Sequence, residues 1–405
     1  MVYTLGIDVG TSGARACILD VTGQQPPRIL RALYDNQPTT PAAWRAAVLD
    51  LVARVDVPIA SVCVDGTSAT TLLVDASTGA LLADAPIMYN QAAPPPAVEA
   101  ARRMSPNTST ALAPTSALPK LLSWVLDSTV DEARAAGHDP VLCHQADWIA
   151  GLLMDADVPG RFGISSYNNC LKLGYDVRRL CWPDWLAGDA AVSPLLPRRV
   201  AAPGDVVATC FEQRAVVCAG TTDSIAAFVA SGAVQPGDAV TSLGSTLALK
   251  LLSSHPVEDD PVRGIYCHRL GDMWLVGGAS SSGCAVLRER IGGDDVVEEL
   301  SKLVADWTVP PAVSLGTPLP AGVTHDRFLD TSNGGENAGD GDALPPHDHL
   351  YALLHAIALL EARGDAALAE AGASPLRRCW RAGGGAQRGV ARHAGGTTRR
   401  GGAAA

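Results

Sequence analysis

The chain has 405 residues, 47% of them hydrophobic, and a formal net charge of −11 at pH 7. This length and composition predict two or three globular domains with substantial cores. The acidic balance argues against nucleic acid and against an anionic membrane surface as partners, because neutralising many phosphates requires a basic surface. We therefore expect small-molecule partners, with no nucleic acid and no membrane involved.

Cysteine usage and the start of the chain indicate the compartment. The ten cysteines are scattered without a CxxC pair, which argues against a zinc site and against a disulfide framework. Strand-like sequence begins directly after Met1, and no apolar run reaches the roughly 18 residues of a membrane span. We expect a cytoplasmic protein, with a plastid address open if a targeting segment precedes this sequence.

The opening stretch, residues 4–20, consists of two apolar arms around a glycine-rich turn at residues 10–13. Alternation in both arms predicts a β-hairpin. Positive φ at both glycines of the turn would let backbone N–H groups and two hydroxyls converge on an anion. Asp8 lies within the first arm, where a carboxylate needs a partner or a metal. Mg²⁺ with a nucleotide is one interpretation, and a plain hairpin with a capped aspartate is the other.

A second polar loop follows the next predicted strand. That strand covers residues 59–64 and leads into a loop of small polar residues at 65–70. Such loops at strand ends bind ligands in mixed α/β domains, although Asp65 and Thr67 could equally be turn formers. Helical spacing then places Trp124 and Trp148 in the core. Residues 161–172 are interpreted as a loop whose hydroxyls and amides face a polyol.

The pattern restarts after a proline-rich span, and we place a domain boundary near residue 214. A strand, a Gly-Thr-Thr-Asp turn and a helix follow, with Asp223 or Thr222 as the helix cap. A second hairpin is predicted over residues 238–249, with Gly-Ser-Thr at its turn. This repetition of the opening hairpin indicates two related halves that both grip one nucleotide, and it favours the phosphate interpretation.

The last third of the chain adds three segments. Residues 274–287 predict a strand, a small-residue loop and the start of a helix, and apolar spacing over residues 350–360 predicts an amphipathic helix. A glycine run at residues 383–385 could press backbone against a flat ring.

In their order and spacing, these motifs resemble the FGGY carbohydrate kinase family of the sugar kinase, Hsp70 and actin superfamily. The segments that carry the resemblance are GIDVGTSGARA, AGTTDSIAAF, LGSTLALK, GGASSSG and AGGGAQ. The resemblance implies an α/β fold of two RNase H-like (actin-like ATPase) domains with a nucleotide and sugar cleft between them. Residues 1–214 would be the sugar-binding domain, residues 215–387 an incomplete ATP-binding domain, and residues 388–405 a disordered, atypical tail.

The resemblance also implies roles for individual residues, with ATP and Mg²⁺ as cofactors. Asp223 would be the catalytic base, Asp8 would bind Mg²⁺ and orient phosphate, and Thr11 would act with them in the first phosphate loop. The ATP-binding residues would be Thr11, Ser12, Gly13, Gly244, Ser245, Thr246, Gly383, Gly384, Gly385, Ala386 and Gln387. The sugar-binding residues would be Asp8, Gly66, Thr67, Ser68 and Asp223.

Substrate and activity follow from the resemblance as two alternatives. The loop at residues 65–70 and the segment Met88-Tyr-Asn-Gln are similar to the cyanobacterial and plant subgroup of D-ribulose or xylulose kinases, which implies phosphorylation of a ketopentose at its terminal hydroxyl. The tail at residues 388–405 has a single large apolar residue and cannot build a core face. A catalytically impaired protein that binds nucleotide or sugar is therefore the alternative. The choice of pentose and the oligomeric state stay open.

Overall fold

The computed structural model of the protein describes residues 2–34, 40–106, 109–243, 247–260, 263–280, 283–292, 296 and 346–383. These residues form two compact units. The first contains the described residues up to 227 together with 268–271, and the second contains the remainder. None of the helices within the described ranges combines the length and hydropathy needed to cross a bilayer.

Strands and helices follow one another along the described chain. The strands are β1 (Tyr3–Val9), β2 (Gly13–Asp20), β3 (Arg28–Leu33), β4 (Ile59–Gly66), β5 (Thr71–Asp75), β6 (Pro140–His144), β7 (Ile164–Ser166), β8 (Arg199–Ala201), β9 (Val206–Cys210), β10 (Ala215–Thr222), β11 (Asp238–Leu243), β12 (Leu247–Ser253), β13 (Tyr266–Leu270), β14 (Met273–Ser280) and β15 (Arg378–Gly383). The helices are α1 (Pro41–Ala53), α2 (Pro95–Met104), α3 (Ala117–Leu126), α4 (Thr129–Ala135), α5 (Gln145–Leu153), α6 (Tyr167–Cys170), α7 (Asp184–Ala187), α8 (Asp223–Ala230), α9 (Cys284–Arg290) and α10 (Pro346–Glu370).

The first unit is built on a six-stranded sheet of order β3-β2-β1-β4-β10-β9. β1 and β2 form the predicted antiparallel hairpin, and β1, β4 and β10 run parallel. Alternate apolar residues such as Leu5 and Ile7 are buried on one face, where α1 packs on β2 and β3 and α5 packs on β4 and β10. Trp124 and Trp148 are buried as predicted. The parallel strands therefore end side by side on a sheet whose core lies on the helix side.

The turn of the opening hairpin differs from the sequence prediction. Neither Gly10 nor Gly13 has a positive φ. The N–H of Gly10 donates to the carbonyl oxygen of Gly13 at 3.1 Å, which closes the turn. A Cβ on Gly13 would lie 2.6 Å from the carbonyl oxygen of Ala32 in β3. Glycine is thus needed at position 13 for the close approach of a neighbouring strand, and the predicted left-handed conformation was wrong.

The prediction that residues 161–172 form a loop was also wrong. The segment contains β7 and α6, and its serine and asparagine side chains are buried. Asp147 of α5 accepts hydrogen bonds from Ser165 Oγ at 2.5 Å and from Asn169 Nδ2 at 2.8 Å. These hydroxyl and amide groups satisfy an interior carboxylate, because a buried charge is costly without such partners.

The second unit is built on a five-stranded sheet of order β13-β14-β12-β11-β15. The predicted second hairpin is present, because β11 and β12 pair antiparallel from Ala239 opposite Leu251 to Leu243 opposite Leu247. The predicted helix over residues 350–360 is longer, and as α10 it packs on β12 and β14. The predicted domain boundary at 214–215 precedes β10, which is a strand of the first sheet.

Candidate active site

Four polar side chains line up across the first sheet. Arg15 of β2 is paired in register with Asp8 of β1, Asp8 with Asp65 of β4, and Asp65 with Thr221 of β10. Residues in register on adjacent strands share a face of the sheet, with their Cβ atoms about 5 Å apart. We call Arg15, Asp8, Asp65 and Thr221 the carboxylate row. It lies near the carboxyl ends of the three parallel strands, where ligands bind in α/β sheets.

A bulge in β10 puts Thr221 into this row. The pairing of β10 with β4 shifts between Cys218, which faces Cys63, and Thr221, which faces Asp65. A Cβ on the intervening Gly220 would lie 1.9 Å from the carbonyl oxygen of Val64, so only glycine fits there. The extra residue re-aims the end of the strand, as β-bulges do beside active sites.

The charges of the row are coupled. Arg15 Nη1 and Asp8 Oδ2 are 2.7 Å apart, and their side chains are 52% and 34% exposed. Burial, followed by the charges of Asp8 and Asp223, raises the pKa of Asp65 to about 8, although Arg15 opposes this effect. Asp65 therefore carries its proton at neutral pH, and a hydrogen bond with the side chain of Asp8 favours that state.

Asp223 stands two residues beyond Thr221, as the first residue of α8. Its Oδ1 atom accepts a hydrogen bond from the N–H of Ser224 at 2.6 Å. A carboxylate in the first turn of a helix is favoured by the unpaired N–H groups and the helix dipole. Because its charge acts on Asp65, Asp223 lies within electrostatic range of the carboxylate row. The two acids singled out in the sequence, Asp8 and Asp223, are thus brought to one place with Asp65 between them.

The loop that follows Asp65, at residues 66–70, is held by a directed chain of hydrogen bonds. The N–H and hydroxyl of Thr67 both donate to Gln145 Oε1, at 3.0 and 2.8 Å. Since the hydroxyl proton of Thr67 is committed to that oxygen, Thr70 Oγ1 must donate to Thr67 Oγ1, 2.6 Å away. Thr70 in turn accepts from the N–H of Tyr89 at 3.0 Å.

This network shows which of the predicted sugar-binding residues in the loop are already engaged within the protein. Thr67 is 6% exposed and its hydroxyl faces the protein, whereas half-buried Ser68 has no hydrogen-bond partner within the described ranges. Gly66 is packed tightly, because a Cβ there would lie 3.0 Å from Gln145 Oε1. Among residues 66–70, Ser68 therefore has the one side-chain hydroxyl that no other described residue engages.

The predicted phosphate-binding residues are described only in part. Thr11 and Ser12 are exposed in the opening turn, and Gly383 ends β15. Seven further predicted ATP-binding residues lie outside the described residues: Gly244, Ser245, Thr246, Gly384, Gly385, Ala386 and Gln387. The same is true of the predicted tail at residues 388–405.

Magnesium fits Asp8 as a single carboxylate ligand. The side chain is partly exposed and presents the hard oxygen atoms that Mg²⁺ prefers. Within the described ranges, no group of three or more His, Cys, Asp or Glu side chains is arranged to hold a metal ion. The other ligands of Mg²⁺ would be water and phosphate oxygens, which is how Mg²⁺ is commonly bound beside nucleotides.

Sequence reasoning missed Arg15 as a site residue and treated Asp65 only as part of a polar loop. One signal was available, since Asp65 and Asp8 both lie near the ends of predicted strands. Two parallel strands in matched register would place them side by side. The pairing of β10 with β4 could not be read in this way, because the bulge at Gly220 shifts it by one residue.

No family model matches the sequence. Solved structures do match, over almost the whole chain. A xyloylose kinase from Brucella ovis is 20% identical with a TM-score of 0.77, over 96% of this chain and 83% of that chain. A xylulose kinase from Rhodospirillum rubrum is 18% identical with a TM-score of 0.74, over 96% and 83% of the two chains. A glycerol kinase from Plasmodium falciparum, solved with ADP, is 13% identical with a TM-score of 0.72, over 97% and 84%.

These similarities define the class of fold. The chain has the mixed α/β, two-domain fold of the sugar kinases with actin-like ATPase architecture, which confirms the predicted fold class.

Proposed function

We propose that this protein is an ATP-dependent carbohydrate kinase that phosphorylates the terminal hydroxyl of a ketopentose, D-ribulose or D-xylulose. The observation that carries the proposal is the meeting of Asp8, Asp65 and Asp223 near the ends of three parallel strands. The structural neighbours support it, because they include xylulose kinases, a gluconate kinase and a glycerol kinase.

Asp223 is assigned as the general base. It takes the proton of the terminal sugar hydroxyl as that oxygen bonds to the γ-phosphorus, and the bond from the γ-phosphorus to the bridging oxygen breaks to release ADP. Its place in the first turn of α8, where the helix dipole favours a carboxylate, orients the group. Mg²⁺, when held by Asp8, supplies neutralisation of charge on the transferred group.

Arg15 and Asp65 reduce the negative charge that the row presents to the nucleotide. Arg15 offers a half-exposed guanidinium beside Asp8, where it can pair with a phosphate oxygen. Asp65 carries its proton at neutral pH, so the row together with Asp223 meets a polyanionic nucleotide with one negative charge fewer than their three carboxyl groups would give.

The two ligands are assigned to different parts of the chain. Gly66, Thr67 and Ser68 line the sugar-binding side, with Ser68 as the hydroxyl that contacts substrate. Thr11, Ser12 and Gly13 form the first phosphate loop. The second phosphate loop and the adenosine motif are assigned to residues 244–246 and 383–387. We further propose that residues 1–214 form the sugar-binding domain and residues 215–387 the ATP-binding domain, and that the protein acts in the cytoplasm.

The binding-only alternative is not favoured. That alternative depends on the sequence of residues 388–405. The acids proposed for transfer, Asp8 and Asp223, are both present, and the charges of both act on Asp65.

The test is coupled ADP release from ATP and Mg²⁺ with D-ribulose, D-xylulose, L-ribulose and glycerol in turn. Saturable release with one ketopentose is the expected result. In Asp223→Ala we expect turnover to fall by about a thousandfold or more, as for loss of a catalytic acid–base group, with the ATP-induced thermal shift retained. Asp157→Asn, at an exposed carboxylate, is the matched control. Full turnover in Asp223→Ala would refute the assignment of the base. If none of the sugars caused ADP release, the proposed function would be refuted.

A further inference from the structure

Lys120 is an ionisable side chain buried in an apolar setting. It lies on α3, is 0% exposed, and has Ala117, Leu118 and Leu121 as buried neighbours along the helix. Its Nζ atom donates to the carbonyl oxygens of Ala69 and Met88, both at 2.7 Å. Burial, together with the charge of Lys172, lowers the pKa of Lys120 to about 7. A lysine is rarely buried so completely unless hydrogen bonds from its amine compensate for the loss of water.

The two carbonyl groups belong to the segments that flank the candidate sugar site. Ala69 is in the loop at residues 66–70, and its φ of +63° is a left-handed conformation that is unusual for alanine. Met88 precedes Tyr89, whose N–H donates to Thr70 at 3.0 Å. Lys120 therefore joins Ala69 to Met88, and the hydroxyl of Thr70 joins the next residue of each segment, Thr70 to Tyr89.

We propose that Lys120 is a positioning residue for sugar binding, which clamps Ala69 against Met88 and thereby fixes Ser68 beyond the end of β4. This inference rests on the proposed function, in which the loop at residues 66–70 contacts the sugar. The lysine side chain does not touch substrate, because it is buried behind the loop. It acts through the backbone, since Ala69 directly follows the hydroxyl offered to the ligand.

A space-filling role alone would not require an amine at this position. An apolar side chain of similar length fills the same space without the cost of dehydrating a charge. The amine adds donors for two carbonyl groups, and one of these belongs to a residue in a strained conformation. The hydrogen bonds of the amine therefore hold the backbone of the loop at residues 66–70 in its conformation.

The test is Lys120→Met, which keeps the length of the side chain and removes its donors. We expect the KM for the preferred ketopentose to rise about tenfold, the equivalent of one lost hydrogen-bonded contact, with the KM for ATP unchanged. The thermal shift caused by ATP and Mg²⁺ should be retained. Leu121→Val, also fully buried on α3, is the matched control and should lower stability without changing either KM. A lower kcat with both KM values unchanged would mean a structural role and would overturn the inference.

A second variant decides the question if Lys120→Met does not fold. Ala69→Gly removes the strain of the positive φ, so its melting temperature should be equal to or above that of the wild type. Glycine gives the loop more backbone freedom, which is lost when the loop is ordered around the sugar. We therefore expect the sugar KM to rise about threefold. An unchanged sugar KM in this variant would overturn the inference. If the wild-type protein showed neither turnover nor a sugar-induced thermal shift, the proposed function and this inference would both be refuted.

Discussion

Replacement of Asp65 by asparagine should change how the stability of the protein depends on pH. Burial and the charges of Asp8 and Asp223 raise the pKa of Asp65 from 3.8 to about 8. In the unfolded chain the same carboxyl group titrates at its ordinary value. Between the two values the folded state keeps a proton that the unfolded state has lost. The stabilising contribution of this group is therefore complete below pH 3.8 and is lost as the pH rises towards 8.

The size of the effect follows from the same two values. The free energy of unfolding falls by about 1.4 kcal/mol for each pH unit in this window, which would amount to about 6 kcal/mol over all of it. Asp65 is only half-buried, so solvent screens part of the interaction, and we expect a measured loss of about 2 to 3 kcal/mol. Asparagine is neutral at every pH and can still donate a hydrogen bond to Asp8. The variant should equal the wild type in acid and exceed it in stability at alkaline pH.

Urea denaturation of both proteins across this window, with EDTA present to remove divalent cations, measures the difference. Tryptophan fluorescence is a suitable probe because Trp44 and Trp148 are buried in the core of the first unit. Asp157→Asn controls for the loss of a negative charge at an exposed position. Wild-type and Asp65→Asn curves that run parallel over the whole window would refute the coupling of the three carboxyl groups.

Two further substitutions test the geometry of the row. Gly220→Ala should destabilise the protein by about 3 kcal/mol or more, because the new Cβ would overlap the carbonyl oxygen of Val64; an unchanged urea midpoint would contradict the close approach of β10 and β4. Arg15→Met should alter stability by less than about 1 kcal/mol, since the ion pair with Asp8 is exposed. The same change should raise the KM for ATP about tenfold by removing a charged contact to phosphate, and an unchanged KM would remove Arg15 from the site.

The sequence predicts the elements of the site well and their alignment less well. The hairpin of β1 and β2, the buried β4 and the helix after Asp223 follow from alternation and from turn residues, which are local properties. The position of Asp65 between Asp8 and Thr221 depends on the register of three strands distant in sequence. Local patterns do not specify that register.

Residues 161–172 show the same limit for polar side chains. Serine and asparagine in a short irregular segment have the composition of a ligand-binding loop. They also have the composition of a group that satisfies a buried acid, and here Asp147 takes the hydrogen bonds of Ser165 and Asn169. The two cases differ in burial, which depends on packing against α5 and cannot be read from the segment itself.

The bulge at Gly220 explains why a glycine precedes the two threonines in the segment that leads to Asp223. Without the extra residue, Gly220 and not Thr221 would face Asp65. The strand would then enter α8 one residue out of phase, and successive side chains of a strand point to opposite faces. Asp223 would then no longer be held beside the carboxylate row. The close contact between Gly220 and the Val64 carbonyl thus fixes Asp223, at the start of α8, relative to Asp8 on β1 and Asp65 on β4, and no single motif contains that relation.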